Sequence, residues 1–496
     1  MNSIKFYSRI LSFSLLLIFI SSCEDFEVEN LNSPDKDRAL AEDSDIISLI
    51  DGSVTDMLQT SITLWGVHYD GLADQITSTN AYLDFWGFTD QPRRPLNNNT
   101  TNSDLYPISA PWNAFNSYIY NANSVLSVID GGKTLTVDGV DKTLEKEVAS
   151  YFVRGISLGF IGLVYDKAYR VTQDSDLSTL EYEAYNDIID HAVSDLEMAA
   201  TLAGSAVSLR VYDGASISNS ELVQVAHSYA AKFLMGAART NSETVDYNKV
   251  LTHISKGITA DFDPTAKNGI IFNNYQDWAT YTLGTGAGYL PVDQKIPYLI
   301  EGDATAQPMD YPTDESVILG AISNTTDTRI ANYFGYAADF GYLNPARGRH
   351  LFSNTRNTRF FTGNDRNFDG ASLNLFPLAE LHLLKAEAQF KNGDLSDAKA
   401  TLDASVRGTS GLTTDATATG IATALLYEYS IEMHLNGSAG TNYYFMRRHD
   451  LLQKGTPLHF PVPATELEIT GDKFYTFGGD GAGNPATAPG PGWKGL

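Results

Sequence analysis

Two aromatic clusters in this sequence combine flat rings with short polar side chains. A ring can stack on the apolar C–H face of a sugar, while carboxylate and amide groups pair with its hydroxyls. Both clusters lie in segments without helical periodicity, so the same rings could instead pack inside a folded loop. The candidate ligand-binding residues are Asn80, Tyr82, Asp84, Phe85, Trp86, Phe88, Tyr275, Trp278, Tyr281 and Tyr289.

A possible calcium loop begins at Asp365. Asp365, Asn367 and Asp369 supply oxygen ligands at alternating positions before Gly370, as in the opening of an EF-hand loop. Position twelve of that loop is Phe376 instead of a bidentate glutamate. The missing glutamate favours local turn chemistry, with calcium binding as the alternative, and no other cofactor is indicated.

Motifs of catalysis are scarce in the chain. The nine histidines form no H-E-x-x-H or paired metal spacing, and the glycine-rich run 284–288 lacks the Lys-Ser or Lys-Thr of a phosphate-binding loop. A glycosidase needs only two facing carboxylates, and 60 acidic residues leave that possibility open. We therefore expect a binding protein and not an enzyme, with a surface glycoside hydrolase as an alternative.

The N-terminus has the pattern of a secretory signal that ends on a cysteine. Basic residues precede an apolar run from Ile10 to Ile20, which is too short to span a bilayer. The small residues Ser21 and Ser22 then lead to Cys23, the only cysteine of the chain, as in a bacterial lipobox. We expect residues 1–22 to be a lipoprotein signal peptide and Cys23 to be lipidated, with an ordinary signal peptide as the alternative.

Composition limits the class of partner. The chain carries 34 basic and 60 acidic residues, for a net charge of -26, which repels nucleic acid and anionic lipid surfaces. Beyond the N-terminal run, no apolar stretch approaches the roughly 20 residues of a membrane helix. The stretch from Asn30 to about Ala41 is polar and contains one proline, and we expect residues 23–41 to be a flexible tether that joins the membrane anchor to a folded body at 42–496.

Helix pairs are the main structural signal. The clearest pair spans Pro377 to Gly408, where apolar residues recur at helical spacing and Gly393-Asp394 interrupts the helix. Further helical segments are predicted at 221–257, at 145–169 with 182–200, and at 112–129. The pattern is typical of tetratricopeptide-like repeats, so we predict a mostly α helical-repeat scaffold that carries long irregular aromatic loops, chiefly at 261–370.

Four stretches of the chain carry motifs that occur together in one protein family. They are Leu381–Asp394 with Ala398 and Val406-Arg407, Ile431–Gly437, Tyr443–Arg448, and Phe460–Pro463 with Glu466. These motifs resemble those of the SusD/RagB outer-membrane nutrient-binding lipoproteins. Phe445 stands where the family has an aspartate, and a small Gly-Ser insertion precedes this turn, which indicates a divergent member. Residues 73–75 and 112–123 resemble early helix pairs of the family and look structural.

The resemblance implies a SusD-like fold and a role in nutrient uptake. Such a protein sits as a lid on a SusC-like TonB-dependent outer-membrane barrel and delivers glycans to it, or peptides in some relatives. The acidic cluster Glu24, Asp25 and Glu27 resembles the export tag of surface lipoproteins in Bacteroidetes, which implies a lipid anchor in the outer membrane facing outside. A purely structural repeat scaffold is a further alternative, which the long aromatic loops disfavour.

Overall fold

The computed structural model of the protein describes most of the body of the chain. The described residues are 40–78, 81–204, 207–212, 215–262, 290–302, 307–310, 318–323, 326–336, 353–359, 375–481 and 483–496, with only the backbone given for Tyr82 and Tyr212. The predicted signal peptide, Cys23 and nearly all of the predicted tether therefore lie outside the described residues.

The described residues are predominantly helical, as the sequence predicted. Their sixteen α-helices are α1 Asp43–Thr60, α2 Trp65–Leu72, α3 Phe85–Thr89, α4 Tyr106–Asp130, α5 Thr143–Val164, α6 Tyr185–Leu202, α7 Asn219–Gly236, α8 Tyr247–Ile254, α9 Lys295–Glu301, α10 Ile330–Tyr333, α11 Leu378–Lys391, α12 Leu395–Asp403, α13 Val406–Thr409, α14 Ala418–Ile431, α15 Thr441–Arg448 and α16 Ala464–Thr470. The prediction of a mostly α, tetratricopeptide-like scaffold is confirmed.

Helices that follow one another along the chain pack against each other in the scaffold. Helix α5 packs against α4 and α6, α6 packs against α7, and α8 packs against both α7 and α11. Glycine permits the closest approach, because a Cβ at Gly159 of α5 would collide with the ring of Phe233 on α7. One large apolar core thus runs through helices that are far apart in sequence.

Local sequence signals fix several helix ends. Ser218 and Asp246 cap α7 and α8, since their side-chain oxygens accept hydrogen bonds from Glu221 N at 3.3 Å and Lys249 N at 2.9 Å. Gly393 has a φ of 87° between α11 and α12, a conformation that glycine adopts without steric cost. The predicted Gly-Asp break is therefore the observed turn.

Four short antiparallel hairpins connect the helices of the described chain. The strands pair as β1 Thr136–Val137 with β2 Val140–Asp141, β3 Lys167–Tyr169 with β4 Tyr182–Ala184, β5 Leu209–Tyr212 with β6 Ala215–Ile217, and β7 Phe334–Tyr336 with β8 Thr355–Asn357. The sequence predicted one helix that ends at Tyr169 and a second helix that begins at Tyr182. Both predictions were wrong, because these residues form the β3–β4 hairpin. Tyr165 bridges to Phe460 instead, and this tertiary pairing ends α5 at Val164.

Helix α5 is long and apolar enough to cross a membrane by length and composition alone, which corrects the expectation that no such stretch follows the N-terminal run. Its 22 residues contain an apolar window of which 89% is buried inside the fold. Such burial is typical of the core helix of a packed scaffold, and the contacts of α5 with α4, α6 and α7 agree with that role.

Part of the predicted irregular insert at 261–370 is ordered against the scaffold. Its described residues form α9, α10 and the β7–β8 hairpin, which the sequence did not predict. Buried Arg329 at the start of α10 forms ion pairs with Asp327, Glu428 and Glu432 at 2.7, 2.6 and 3.1 Å. These pairs attach the insert to α14, because a buried guanidinium requires compensating carboxylates.

The two arginines that close α15 tie together distant parts of the scaffold. Arg447 donates to the carbonyl oxygens of Leu163 at 3.0 Å and Gly236 at 2.9 Å, at the ends of α5 and α7. Arg448 forms a bidentate pair with Glu387 of α11, with both contacts at 2.6 Å. The Arg-Arg turn that resembles the SusD/RagB motif is thus a structural junction.

Candidate functional site

The described residues that precede the first predicted cluster lie beside those that follow the second. Ile76 pairs with Val292 in an antiparallel bridge, and Thr77 N donates to Pro291 O at 2.9 Å. Ser353 Oγ donates to Val292 O at 2.7 Å, so a third segment reaches the same point. These contacts join residues 76–77, 291–292 and 353, while the second cluster itself lies outside the described residues.

The backbone of the first cluster has an unusual local conformation. Leu83 and Asp84 both have left-handed φ values, 48° and 58°, although neither is glycine. The Asp84 side chain caps α3 by accepting a hydrogen bond from Gly87 N at 3.2 Å. Strained non-glycine residues of this kind cost about 1–3 kcal/mol each and cluster at ligand sites.

Two of the predicted stacking rings belong to the core. Phe85 and Phe88 are each 3% exposed, and both pack on the ring of His68, with centroids 4.7 and 4.8 Å apart. Burial lowers the pKa of His68 to about 4, so this imidazole is neutral at physiological pH. Phe85 and Phe88 are therefore packed in the core, although Phe88 also lines the pocket described below, and their predicted ligand contacts stay predictions.

Among the predicted rings of this cluster whose side chains are described, Trp86 is partly exposed. Successive side chains of α3 are rotated by about 100° around the helix axis. Phe85 and Phe88 therefore share the face that packs on the core, and Trp86 lies on a different face. Asp84 is also partly exposed. These two residues keep the ring and the carboxylate that the sequence proposed for ligand contact.

A polar pocket of about 490 Å³ opens beside Asp84. Its walls come from α3 and from the irregular segment between α3 and α4. The lining residues are Asp84, Gly87, Phe88, Arg94, Pro95, Leu96, Asn97, Asn102 and Asp104. Carboxylates, amides and a guanidinium in one concave surface offer both donors and acceptors to a ligand rich in hydroxyl groups.

The charges in this pocket interact with one another. Burial raises the pKa of Asp84, the nearby carboxylate of Asp104 raises it further, and Arg94 opposes both effects. Arg94 also pairs with Asp90 at 2.7 Å, where its side chain remains 54% exposed. The pocket lining therefore holds two carboxylates, Asp84 and Asp104, and the half-exposed guanidinium of Arg94.

Two buried polar residues hold the pocket wall in place. Asn98 donates to Val462 O at 2.9 Å and accepts from Ala464 N at 2.8 Å, which fixes the wall to the Pro-x-Pro segment. Arg93 pairs with Asp74 at 2.6 Å and donates to Phe88 O at 2.9 Å. A preorganised wall of this kind reduces the entropy lost when a ligand binds.

The remaining predicted site residues lie outside what the structure describes. They are Asn80, the side chain of Tyr82, Tyr275, Trp278, Tyr281 and Tyr289, together with the calcium candidates Asp365, Asn367 and Asp369. Their roles stay predictions.

The structure adds pocket residues that the sequence analysis did not single out. Arg94, Asn97, Asn102 and Asp104 fall between the first cluster and α4, in a stretch rich in asparagine. Asn and Asp favour turns and can face solvent, so the asparagine-rich stretch could have been used to predict a polar site between the first cluster and α4.

Two observations bear on catalysis in the described chain. A G-x-S-x-G pattern occurs at 155–159, but Ser157 is 0% exposed inside α5 and does not sit on a strand-to-helix turn. The described residues contain no group of three or more His, Cys, Asp or Glu side chains placed to hold a metal ion.

Fold and pocket together define a helical-repeat protein that carries a polar pocket on its loops. No protein-family model matches the chain, and no curated protein sequence matches it. Solved structures do match. A SusD superfamily protein from Parabacteroides distasonis superimposes with a TM-score of 0.60 at 12% identity, over 86% of this chain and 97% of that chain.

Two further structures give the same result. A SusD superfamily protein from Bacteroides vulgatus has a TM-score of 0.57 at 16% identity, over 86% of this chain and 97% of that chain. A SusD-like carbohydrate binding protein from Bacteroides vulgatus has a TM-score of 0.50 at 14% identity, over 80% of this chain and 82% of that chain. The chain therefore has the SusD-like fold, as the sequence motifs predicted.

Proposed function

We propose that this chain is a SusD/RagB-family lipoprotein that binds nutrient glycans and does not cleave them. It delivers them to a SusC-like TonB-dependent transporter in the outer membrane. The observation that carries the proposal is the polar pocket beside Asp84 and the partly exposed Trp86, borne on a SusD-like fold. The carbohydrate-binding protein of Bacteroides vulgatus with the same fold supports the choice of ligand.

The pocket chemistry agrees with a sugar ligand. The lining supplies Asp84, Asp104, Asn97 and Asn102 as hydroxyl partners. Trp86 supplies a ring for stacking at the edge of the same segment. The net charge of -26 favours neutral ligands over anionic ones.

Loss of the pocket carboxylate should weaken glycan binding. Asp84→Ala removes a charged hydrogen-bond acceptor, and such bonds contribute about 1.5–3 kcal/mol, so we expect at least a tenfold loss of affinity. Trp86→Ala should cost about 1 kcal/mol, or roughly fivefold, through lost stacking. Trp278→Ala tests the second predicted cluster. A glycan array identifies a ligand, and calorimetry then measures each affinity.

A matched control separates the pocket from general surface effects. Tyr120 carries a ring that is 51% exposed on α4 and does not line the pocket, so Tyr120→Ala should leave glycan affinity unchanged. Unchanged affinity in Asp84→Ala, Trp86→Ala and Trp278→Ala would contradict the site. Co-purified peptide in place of glycan would identify the chain as a peptide receptor of the same fold.

One observation favours a surface glycoside hydrolase as a second candidate. Asp84 and Asp104 line the same pocket, and burial raises the pKa of Asp84, as expected of a general acid in a carboxylate pair. A reducing-sugar assay on the polysaccharide that the protein binds distinguishes the two functions. Release of sugar that is abolished in both Asp84→Asn and Asp104→Asn would establish the hydrolase, and we expect no release.

Lipidation at Cys23 is the predicted basis of membrane attachment. In cells, Cys23→Ala should prevent incorporation of labelled fatty acid and move the protein from the membrane fraction to the soluble fraction, since acyl chains supply the anchor. Protease treatment of intact cells then tests whether the wild-type protein faces outside. A Cys23→Ala protein that stays in the membrane fraction would contradict the anchor.

A further inference from the structure

Two histidines meet in a second pocket, away from the Asp84 site. His227 lies on α7 and His253 on α8, and their Nδ1 atoms are 2.9 Å apart. The pocket has a volume of about 650 Å³, and both imidazoles contribute to its lining. Glu197, Asp246 and polar side chains of α8 complete its walls.

Glu197 of α6 fixes the tautomer of His253. Its Oε1 lies 3.2 Å from His253 Nε2, and a carboxylate accepts a hydrogen bond, so His253 carries its hydrogen on Nε2. The lone pair of His253 therefore lies on Nδ1 and points at His227. Histidines that bind metals have the same arrangement, with the outer N–H donated to a carboxylate.

The second imidazole can offer a lone pair without releasing a proton. In the metal-free pair, His227 Nδ1–H donates to His253 Nδ1. Transfer of that hydrogen to His227 Nε2 leaves both Nδ1 atoms free to bind an ion between them, and no described residue hydrogen-bonds to that Nε2.

Geometry and charge both permit an ion at this point. Two nitrogen ligands at about 2.0–2.1 Å from a tetrahedral ion are roughly 3.3 Å apart, so the two Nδ1 atoms must separate slightly from the observed 2.9 Å and the imidazoles must turn until both lone pairs point at the ion. Lys249 and Lys256 repel a cation, while Glu197 and Asp246 attract one, so the four charges of the lining cancel. The open pocket leaves room for water to complete the coordination.

We infer that His227 and His253 bind one divalent transition-metal ion of the imidazole-preferring kind, such as zinc, nickel or copper, with Glu197 as a positioning residue. The described residues contain no third His, Cys, Asp or Glu placed to join them, so water fills the remaining positions and the ion is exchangeable. This inference is independent of the proposed glycan function.

Zinc titration of the purified protein by calorimetry tests the site. We expect saturable binding of one ion, and at least a tenfold loss of affinity in His227→Ala and in His253→Ala. Glu197→Gln keeps the shape but weakens the orientation of His253, and loss of such an outer partner typically costs about tenfold or more in metal affinity.

The matched control is a histidine with a carboxylate but without a second imidazole. His191 Nε2 lies 2.8 Å from Glu183 Oε2, and His191→Ala should leave zinc affinity unchanged. The EPR spectrum of the wild-type protein with Cu²⁺ should show two coordinated imidazole nitrogens. This measurement does not depend on whether a substituted protein folds. Absence of saturable zinc binding, zinc binding that survives both histidine substitutions, or a copper spectrum without imidazole nitrogens would overturn the inference.

Discussion

Glu387→Ala should lower the free energy of unfolding by about 3–5 kcal/mol, the usual effect of leaving one partner of a buried ion pair uncompensated. Glu387 is 0% exposed and accepts both contacts from Arg448 at 2.6 Å. His449 Nε2 lies 2.7 Å from the same carboxylate and Tyr429 donates to it at 3.1 Å, so its removal disrupts a network. Urea denaturation followed by circular dichroism measures the loss.

Two further variants test whether the buried charge causes the loss of stability expected for Glu387→Ala. Lys454 and Asp480 form a pair at 2.7 Å whose side chains are 62% and 45% exposed, so Asp480→Ala should cost less than about 1 kcal/mol. Replacing Glu387 and Arg448 together by methionine should restore much of the stability, because no unpaired charge is then left behind. A Glu387→Ala protein as stable as Asp480→Ala would show that this junction does not hold the scaffold together.

The same network makes stability depend on acid. Burial alone raises the pKa of Glu387, but Arg448 and His449 outweigh that effect and hold the pKa well below its usual range. The carboxylate therefore stabilises the fold above about pH 4.5, its unfolded value, and the contribution is lost as pH falls toward the folded pKa. Glu387→Ala should remove this part of the acid sensitivity.

Asp70→Asn should stabilise the protein increasingly as pH rises from about 4 to 8, with a maximum slope of about 1.4 kcal/mol per pH unit. Asp70 lies on α2 and is 4% exposed, and its Oδ2 has no hydrogen-bond partner among the described residues. Burial raises the pKa of Asp70 to about 8, although the nearby charge of Lys295 opposes this shift. Asparagine has a similar shape and no charge.

The sign follows from where the proton is bound. Between the unfolded pKa, about 3.9, and the folded pKa, about 8, the folded protein holds a proton that the unfolded chain has released. Stability therefore falls with rising pH across this window in the wild-type protein, and Asp70→Asn escapes the fall.

Unfolding free energies of both proteins, measured from acidic to mildly alkaline pH, test this expectation. Asp190, an exposed acid on α6, provides the control for the loss of one carboxylate, because Asp190→Asn at the surface should change the stability only slightly. A pH-independent difference between Asp70→Asn and the wild type would contradict the assignment of a buried, protonated carboxyl group at this position.

The helical scaffold could be predicted largely from local pattern. Apolar periodicity placed α11 and α12, and Gly393-Asp394 marked the turn between them, because these signals act within a few residues. The helix ends near Tyr169 and Tyr182 were wrong, since a hairpin and the bridge from Tyr165 to Phe460 decide them. Pairing between distant segments leaves no local signal.

The candidate site shows the same division. Residue types alone pointed to Asp84 and Trp86, which stay partly exposed, but they pointed equally to Phe85 and Phe88, which the fold buries. Periodicity could not separate these rings in so short a segment. His68, which covers both phenylalanines, belongs to a different helix and was not a sequence neighbour.

The sequence by itself determined the helical-repeat architecture, the family resemblance in motifs, and the chemical character of the loops. Only the tertiary structure decided that Trp86 stays partly exposed, that Ile76 pairs with Val292, and that His227 contacts His253. The physical reason is range: helix formation depends on neighbours along the chain, whereas burial and side-chain encounters depend on which helices pack together.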